Sequence, residues 1–288
     1  MHADNRRGIL AMSLAMAFFI ANDALVKQVS ATLPGPQLIF IRGLMATTLL
    51  LIMAQAMGHL KNWRLMVSKR LWIRGSVDAA ASLAYLTAVF HLPLGNATAI
   101  NLSSPLFITA FSIVFFKEQV AFQRGLLILL GFSGVLLVVQ PSSEGFNVYA
   151  WLAVLATLLH ATRDTLTRSI GLHVPALLIT LSTAVSVALA AGGIALTQTW
   201  TPVDSISLAL LFGASLFLSM AYYLLIVAMR SGEMSLVAPF RYSGLLFALL
   251  IGYVVWDDVP NVLGWAGIFL LAISGLLILQ LERSKTLK

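Results

Sequence analysis

The chain has 288 residues, of which 59% are hydrophobic and only 10% charged; its net charge is +7 and it contains no cysteine. A water-soluble domain carries about a quarter charged residues, so the composition excludes one, and the absence of cysteine excludes disulfides, thiolate metal sites and a cysteine nucleophile. The positive charge does not point to nucleic acid, because it gathers at the ends of apolar runs, where membrane insertion uses it.

A helix needs roughly 20 apolar residues to cross the hydrocarbon core, and ten stretches qualify. The first, 8–29, follows Arg6 and Arg7 and carries Asn22, Asp23 and Lys27. It is too long for the apolar region of a signal peptide and is read as a retained helix. The second, 36–57, starts behind Pro34 and holds Arg42. The third, 71–91, holds Asp78 and Tyr85; the fourth, 95–116, holds Asn101 and Ser104-Pro105; the fifth is 121–139. The sixth, 149–168, contains His160, Arg163 and Asp164, and the seventh is 175–196. The eighth, 206–229, holds Tyr222; the ninth, 234–255, holds Pro239, Arg241 and Tyr242; the tenth is 262–281. Strands of a membrane barrel would alternate over about ten residues, whereas these runs are continuous. The predicted fold is an all-α membrane protein with ten transmembrane helices. Trp63, Trp72, Trp151, Trp200, Trp256 and Trp265 fall near span ends, as an interfacial belt requires.

Orientation follows from Lys and Arg. With the N-terminus inside, Arg6, Arg7, Lys61, Arg64, Lys69, Arg70, Arg74, Lys117, Arg124, Arg168, Arg230, Arg283, Lys285 and Lys288 all fall inside. The outside receives Glu144, Asp204, Asp257 and Asp258, with Lys27 as the exception. This predicts a multi-pass protein of the bacterial inner membrane, N-in and C-in.

The halves repeat. Asn22-Asp23-Ala24-Leu25-Val26-Lys27 aligns with Arg163-Asp164-Thr165-Leu166-Thr167-Arg168 at a spacing of 141 positions, which also joins Pro34 to Pro175 and Ser133-Gly134 to Ser274-Gly275. With small gaps, Ala84-Tyr85 matches Ala221-Tyr222, and Ser104-Pro105 matches Ala238-Pro239. The domain reading is one five-helix repeat over 1–141 and a second over 142–288. Five spans is an odd number, so the second repeat enters from the opposite side. Inverted repeats place a site near the midplane and expose it alternately by rocking.

On the segments Asn22 to Lys27, Ser104-Pro105-Leu106-Phe107, Lys117-Glu118, Ala238-Pro239-Phe240-Arg241-Tyr242 and Ser274-Gly275, the chain resembles the drug/metabolite transporter superfamily, in its ten-helix EamA-type members. The resemblance covers nearly the whole chain. It implies a cavity surrounded by helices 1, 3, 4, 6, 8 and 9. Asp257-Asp258 departs from the family pattern, standing where a Glu often follows helix 9, and as a loop pair it is expected to matter little. The helix 1 and helix 9 segments resemble those of riboflavin-importing members.

Ionisable residues inside spans are costly and therefore functional candidates. Asp23 and Arg42 lie about six residues from the outer ends of consecutive helices, roughly 9 Å deep at 1.5 Å per residue, and are expected to meet. Lys27 is one turn from Asp23, where it would pair or snorkel. Asp78, Arg163, Asp164 and Arg241 share a depth nearer the inner face, with His160 one turn from Asp164. The substrate-binding candidates are Asn22, Asp23, Tyr85, Asn101, His160, Arg163, Asp164, Tyr222, Arg241 and Tyr242. The gating or coupling candidates are Asp23, Arg42, Asp78 and Asp164. Structural ion pairing is the competing role for all the charged ones. Phe107, Phe111, Tyr223 and Phe240 are expected to extend an aromatic wall.

No His-Glu-x-x-His pair, Gly-x-Ser-x-Gly elbow or Walker lysine loop is present, so no enzyme, metal or cofactor is read, and transport must use a gradient or run downhill. The expected function is secondary transport of a small organic metabolite by alternating access, with riboflavin as the substrate. Amino acid, amine or drug export and S-adenosylmethionine uptake are rivals; a membrane enzyme acting on lipid-linked substrates, or a non-transporting partner of another membrane protein, is more distant. The expected partners are a small-molecule metabolite and membrane lipids, not nucleic acid, with a homodimer left open. Because the chain lacks cysteine, the orientation can be checked directly: Asn62→Cys should stay unlabelled by an impermeant thiol reagent added from the periplasm, and labelling from that side would reverse the assignment.

Overall fold

The computed structural model describes residues 3–104, 106, 107, 111, 122–139, 147–168, 170, 173–230 and 237–286. Ten α-helices lie within them: α1 Ala3–Val29, α2 Gly35–Ala56, α3 Lys69–His91, α4 Leu94–Asn101, α5 Phe122–Val139, α6 Val148–Arg168, α7 Ala176–Ala195, α8 Ser205–Arg230, α9 Ser243–Trp256 and α10 Val262–Thr286. Two 3-10 segments, His59–Val67 and Ala238–Tyr242, complete the set, and no strand occurs among the described residues. Pro34, Pro93 and Pro175 precede α2, α4 and α7 as N-caps in extended conformation. A proline suits such a boundary because its φ is fixed and its missing N–H is one that a helix start leaves unpaired anyway.

Four of these helices are long and apolar enough to cross a membrane: Arg6–Val29, Gly35–Ala56, Ala176–Ala195 and Ser205–Leu225. Shorter apolar stretches run over Gly125–Val138, Phe240–Trp256 and Val262–Leu277. The outer surface is apolar too. Ile52, Leu129, Leu246, Val254 and Phe269 are each more than 60% exposed, a surface that a soluble monomer would not present to water. The protein is an all-α, multi-pass membrane protein.

Two spans differ from the sequence expectation. Span 95–116 appears as the short α4, which ends at Asn101; most of its remainder lies outside the described residues. Span 234–255 is a 3-10 segment followed by α9, not one continuous helix. The 3-10 segment His59–Val67 carries Lys61, Trp63 and Arg64 on the surface. Leu60 and Met66 pack it against buried Leu50, Ala54, Leu177 and Leu181.

The helix pairings set the site. α1 packs on α8, α3 on α6, α2 on α7, α5 on α10 and α4 on α9. Secondary contacts join α3 to α7, α2 to α8, α1 to α9 and α4 to α6. Exchange each helix of the first five with its counterpart in the second five, and this pattern maps onto itself.

Helix association in lipid depends on close packing, because apolar side chains gain nothing by leaving a hydrocarbon solvent. The α5–α10 pair shows how. A Cβ on Gly134 would lie 2.8 Å from the Gly267 carbonyl oxygen, and one on Gly267 would lie 2.6 Å from the Gly134 carbonyl oxygen. Each glycine makes room for the other's backbone. Gly267→Ala is therefore expected to destabilise the protein by about 1–3 kcal/mol, the usual cost of overpacking, seen as a lower melting temperature in detergent. Gly193→Ala, where an added Cβ meets nothing within 4 Å, is the control; equal melting of the two variants would remove the packing argument.

Candidate functional site

Two elements of the bundle break at corresponding places. α4 stops at Asn101, and the Ser103 amide and hydroxyl both turn back to the Ile100 carbonyl, at 3.0 and 2.6 Å. Thr157 of α6 donates to the same carbonyl at 3.3 Å. In the second half the chain enters α9 through the 3-10 segment Ala238–Tyr242, closed by Ser243 Oγ donating to the Phe240 carbonyl at 2.7 Å. The sequence motive is the same in both: Ser104-Pro105 and Ala238-Pro239. A proline removes a backbone donor and disfavours helix at the residue before it. Irregular backbone at membrane depth is tolerated where it lines a cavity, and paired interruptions of this kind point to a binding site.

A cavity of about 290 Å³ lies against both breaks. Its walls come from α1 to α4, α6 to α9 and the 3-10 segment before α9, and among the described residues none that lines it belongs to α5 or α10. All ten residues singled out as substrate-binding candidates line it: Asn22, Asp23, Tyr85, Asn101, His160, Arg163, Asp164, Tyr222, Arg241 and Tyr242. Arg42 joins them, as do Met16, Phe19, Ile20, Leu218 and Leu225 on the apolar side.

The polar groups form two networks. In the first, Asn22 is the bridge. Its Nδ2 donates to Asp23 Oδ1 at 2.9 Å, and its Oδ1 accepts from Arg42 Nη1 at 3.0 Å. Tyr85 Oη donates to Asp23 Oδ2 at 3.0 Å, so both carboxylate oxygens are occupied. Asp23 and Arg42 are both buried, but they make no direct ion pair; the expected contact runs through Asn22. In the second network Arg163 is the hub. It reaches Asp78 Oδ1 at 2.8 Å through Nη1 and Asp164 Oδ1 at 2.9 Å through both Nε and Nη2. Asp78 is 1% exposed and stands behind the cavity wall, with Arg74 Nη1 3.5 Å from its Oδ2. His160 pairs with Asn101 at 2.9 Å, not with Asp164, and its ring meets Tyr85 edge-on at 5.9 Å.

Several assignments change. Lys27 neither pairs with Asp23 nor snorkels: Nζ donates to the Leu92 carbonyl, lies 3.8 Å from Asp258 Oδ2 and sits 5.0 Å from the Trp256 ring. The loop acid Asp258 thus ties α9's end to α1, a role that its place outside any span concealed. The aromatic wall is narrower than expected. Phe19, Tyr85, Tyr222 and Tyr242 line the cavity, whereas Phe107 packs on Phe132 and Tyr223 and Phe240 are exposed elsewhere. Arg74, read from charge counting as a surface anchor, is largely buried and donates to Thr167 at 2.8 Å and to Thr183. The signal was available, since Asp78 lies one helical turn further on. The Tyr242 hydroxyl lies where a Cβ on Gly275 would stand, so the small residue of the Ser274-Gly275 pair is what gives Tyr242 its place.

An all-helical membrane bundle with a charged, partly aromatic cavity at two broken helices has the layout of a metabolite transporter. Residues 6–140 match the EamA-like transporter family. Over 290 residues, 97% of both chains, the protein is 28% identical to a pseudopaline exporter of Pseudomonas aeruginosa. It is 26% identical to a riboflavin transporter of Brucella anthropi over 72% of this chain and 75% of that one. It is 24% identical to an S-adenosylmethionine uptake transporter of Rickettsia conorii over 86% and 84%. A crystal structure described only as that of a protein superposes on 97% of this chain and 98% of its own with a TM-score of 0.67 at 17% identity, a likeness of fold alone. The EamA-like match spans residues 6–140 and the similarity to transporters runs along most of the chain; the protein is a carrier of small molecules and not an enzyme.

The Asn22 bridge has a measurable consequence. Asn22→Leu would leave both Arg42 and Asp23 short of a partner in a buried site, at a cost of about 1–3 kcal/mol for each group left unsatisfied. A clear drop in melting temperature is expected, smaller in Asn22→Leu/Arg42→Met, where the stranded cation is also gone. Strictly additive losses would show that the bridge does not couple the two residues.

Proposed function

We propose that this chain is a secondary transporter of the bacterial inner membrane, N-in and C-in, that carries a small charged organic metabolite by alternating access. The observation that carries the reading is the placement of the charges: two polar networks, one within the first half and one joining Asp78 of the first half to Arg163 and Asp164 of the second, meet at a single cavity at the paired helix breaks. The five-helix halves 1–141 and 142–288 are taken as inverted repeats, which the self-mapping of the helix pairings supports. In this reading Asp23 and Arg42, joined by Asn22, close the cavity toward the outside. The Lys27 tie to Leu92 and Asp258 closes it further out. Asp164, whose side chain is 30% exposed, and exposed Arg241 face the path to the inside. Asp78 holds Arg163 in place, and Asp164 is the carboxylate placed to couple substrate movement to a gradient.

Riboflavin is the second reading. It is favoured by the four aromatic residues on the wall and by the name of the Brucella relative. Counterflow into vesicles loaded with unlabelled compound separates the two. Labelled riboflavin should exchange if the second reading holds; exchange of small charged metabolites without riboflavin supports the first. In either case Arg241→Lys, which keeps the charge but loses the planar fork, should fold normally and exchange more slowly. Unchanged exchange in that variant would remove Arg241 from the site, and a chain that exchanges nothing while folded and ligand-bound would end the transport reading.

A further inference from the structure

A second hollow lies in the seam between α1 and α8. The two helices run antiparallel: a Cβ on Gly213 would lie 3.4 Å from Leu25, Phe18 stacks on Phe217 at 5.4 Å, and Phe19 meets Tyr222 edge-on at 5.1 Å. α1 therefore begins where α8 ends. Near that end the seam opens into a groove that shares no lining residue with the cavity among the described residues. Its buried part is Ala11, whose single methyl group leaves the space. Exposed Leu10 and Leu14 line the groove from α1, and Leu224 and Val227 line it from α8.

The groove has a charged end. Arg6 and Arg7 line it at the start of α1. Both are exposed, and neither has a hydrogen-bond or ion-pair partner among the described residues. The antiparallel register brings Arg230, the last residue of α8, to the same end. Along the two helices that end carries Arg6, Arg7 and Arg230 against Asp4. A cationic mouth thus leads into an apolar slot.

We propose that this groove binds an anionic phospholipid: Arg6 and Arg7 take the phosphate of the headgroup, and the slot between α1 and α8 takes the upper part of an acyl chain. Lipid is what stands against the outer face of a membrane-spanning bundle, and the charge decides which lipid. A guanidinium binds phosphate oxygens in pairs through charge-assisted hydrogen bonds, and basic pockets between spanning helices hold acidic headgroups in this way. A zwitterionic headgroup brings its own cation to two arginines; an anionic one does not. A free phosphate would use the arginines and leave the apolar slot unfilled. The site also touches the working part of the protein. Tyr222 and Leu225 line the cavity from the same turn of α8 that gives Leu224 to the groove.

The test is native mass spectrometry of the full chain in detergent, titrated with dioleoyl phosphatidylglycerol or dioleoyl phosphatidylcholine. The first phosphatidylglycerol should bind roughly tenfold or more tighter than the first phosphatidylcholine, since each arginine near an anionic headgroup is worth about fivefold. Arg6→Gln/Arg7→Gln should lose most of that preference. Lys61→Gln/Arg64→Gln, which removes the same charge from exposed positions on another segment, should keep it. Glycerol 3-phosphate in large excess should not displace the lipid. A second measurement leaves both arginines in place and so reports even if their double variant inserts poorly. The chain has no cysteine, so a fluorophore can be attached at Leu14→Cys in the groove or at Leu246→Cys on the exposed face of α9. Chain-brominated phosphatidylglycerol should quench more than chain-brominated phosphatidylcholine at the first position and equally at the second. No headgroup preference in the parent, equal loss in the two charge pairs, displacement by glycerol 3-phosphate, or the same quenching ratio at both labelled positions would overturn the proposal.

Discussion

A charge between membrane helices is tolerated only when it is paired or wetted, and the structure of this protein is organised around that constraint. Moving an ion from water into a low-dielectric interior costs several kcal/mol even after relaxation. Asp78, 1% exposed, meets the constraint through Arg163 and Arg74; Asp23 meets it through Asn22 and Tyr85. These contacts run between helices distant in sequence: α1 to α2 and α3, and α3 to α6. The register of the central helices is therefore set by electrostatics, while small residues and apolar side chains fill the remaining space. The cavity is the place where the same charges reach water.

Much of this was legible in the sequence. The apolar runs marked the helices, because no other backbone arrangement in such runs satisfies its own hydrogen bonds in lipid. The ionisable residues within the runs pointed to the cavity, because their cost confines them to the protein interior, and Asp23, Arg42, Arg163, Asp164 and Arg241 line it. Reading the halves as a repeat drew attention to Asp164 and Tyr222, which align with Asp23 and Tyr85 in the sequence. The errors were errors of partner. Counting depth along helices puts Asp23 level with Arg42 but cannot tell that Asn22, one residue earlier, projects between them. Lys27 looked like an end anchor because its partners, the Leu92 carbonyl and Asp258, come from loops whose position depends on the whole bundle. Arg74 was assigned to the surface by a rule about insertion that says nothing of where a side chain finally points.

Relatives named for different ligands surround this chain. The wall at α4's end and at Ala238–Tyr242 consists of backbone and a few side chains held by neighbouring helices. The relatives named for pseudopaline, riboflavin and S-adenosylmethionine are all at 29% identity or less, too distant for any one name to fix the ligand of this chain.

The glycine contact between α5 and α10 carries a mechanical meaning. Gly134 and Gly267 bring two main chains together, with Leu137, Val138 and Leu271 packed around the contact. A side chain at either glycine would have to push the backbones apart, so the spacing of α5 and α10 is set by two positions without a Cβ. Because α10 also carries Gly275, whose missing Cβ leaves room for the Tyr242 hydroxyl on the cavity wall, a widening of this seam would reach the cavity through Tyr242.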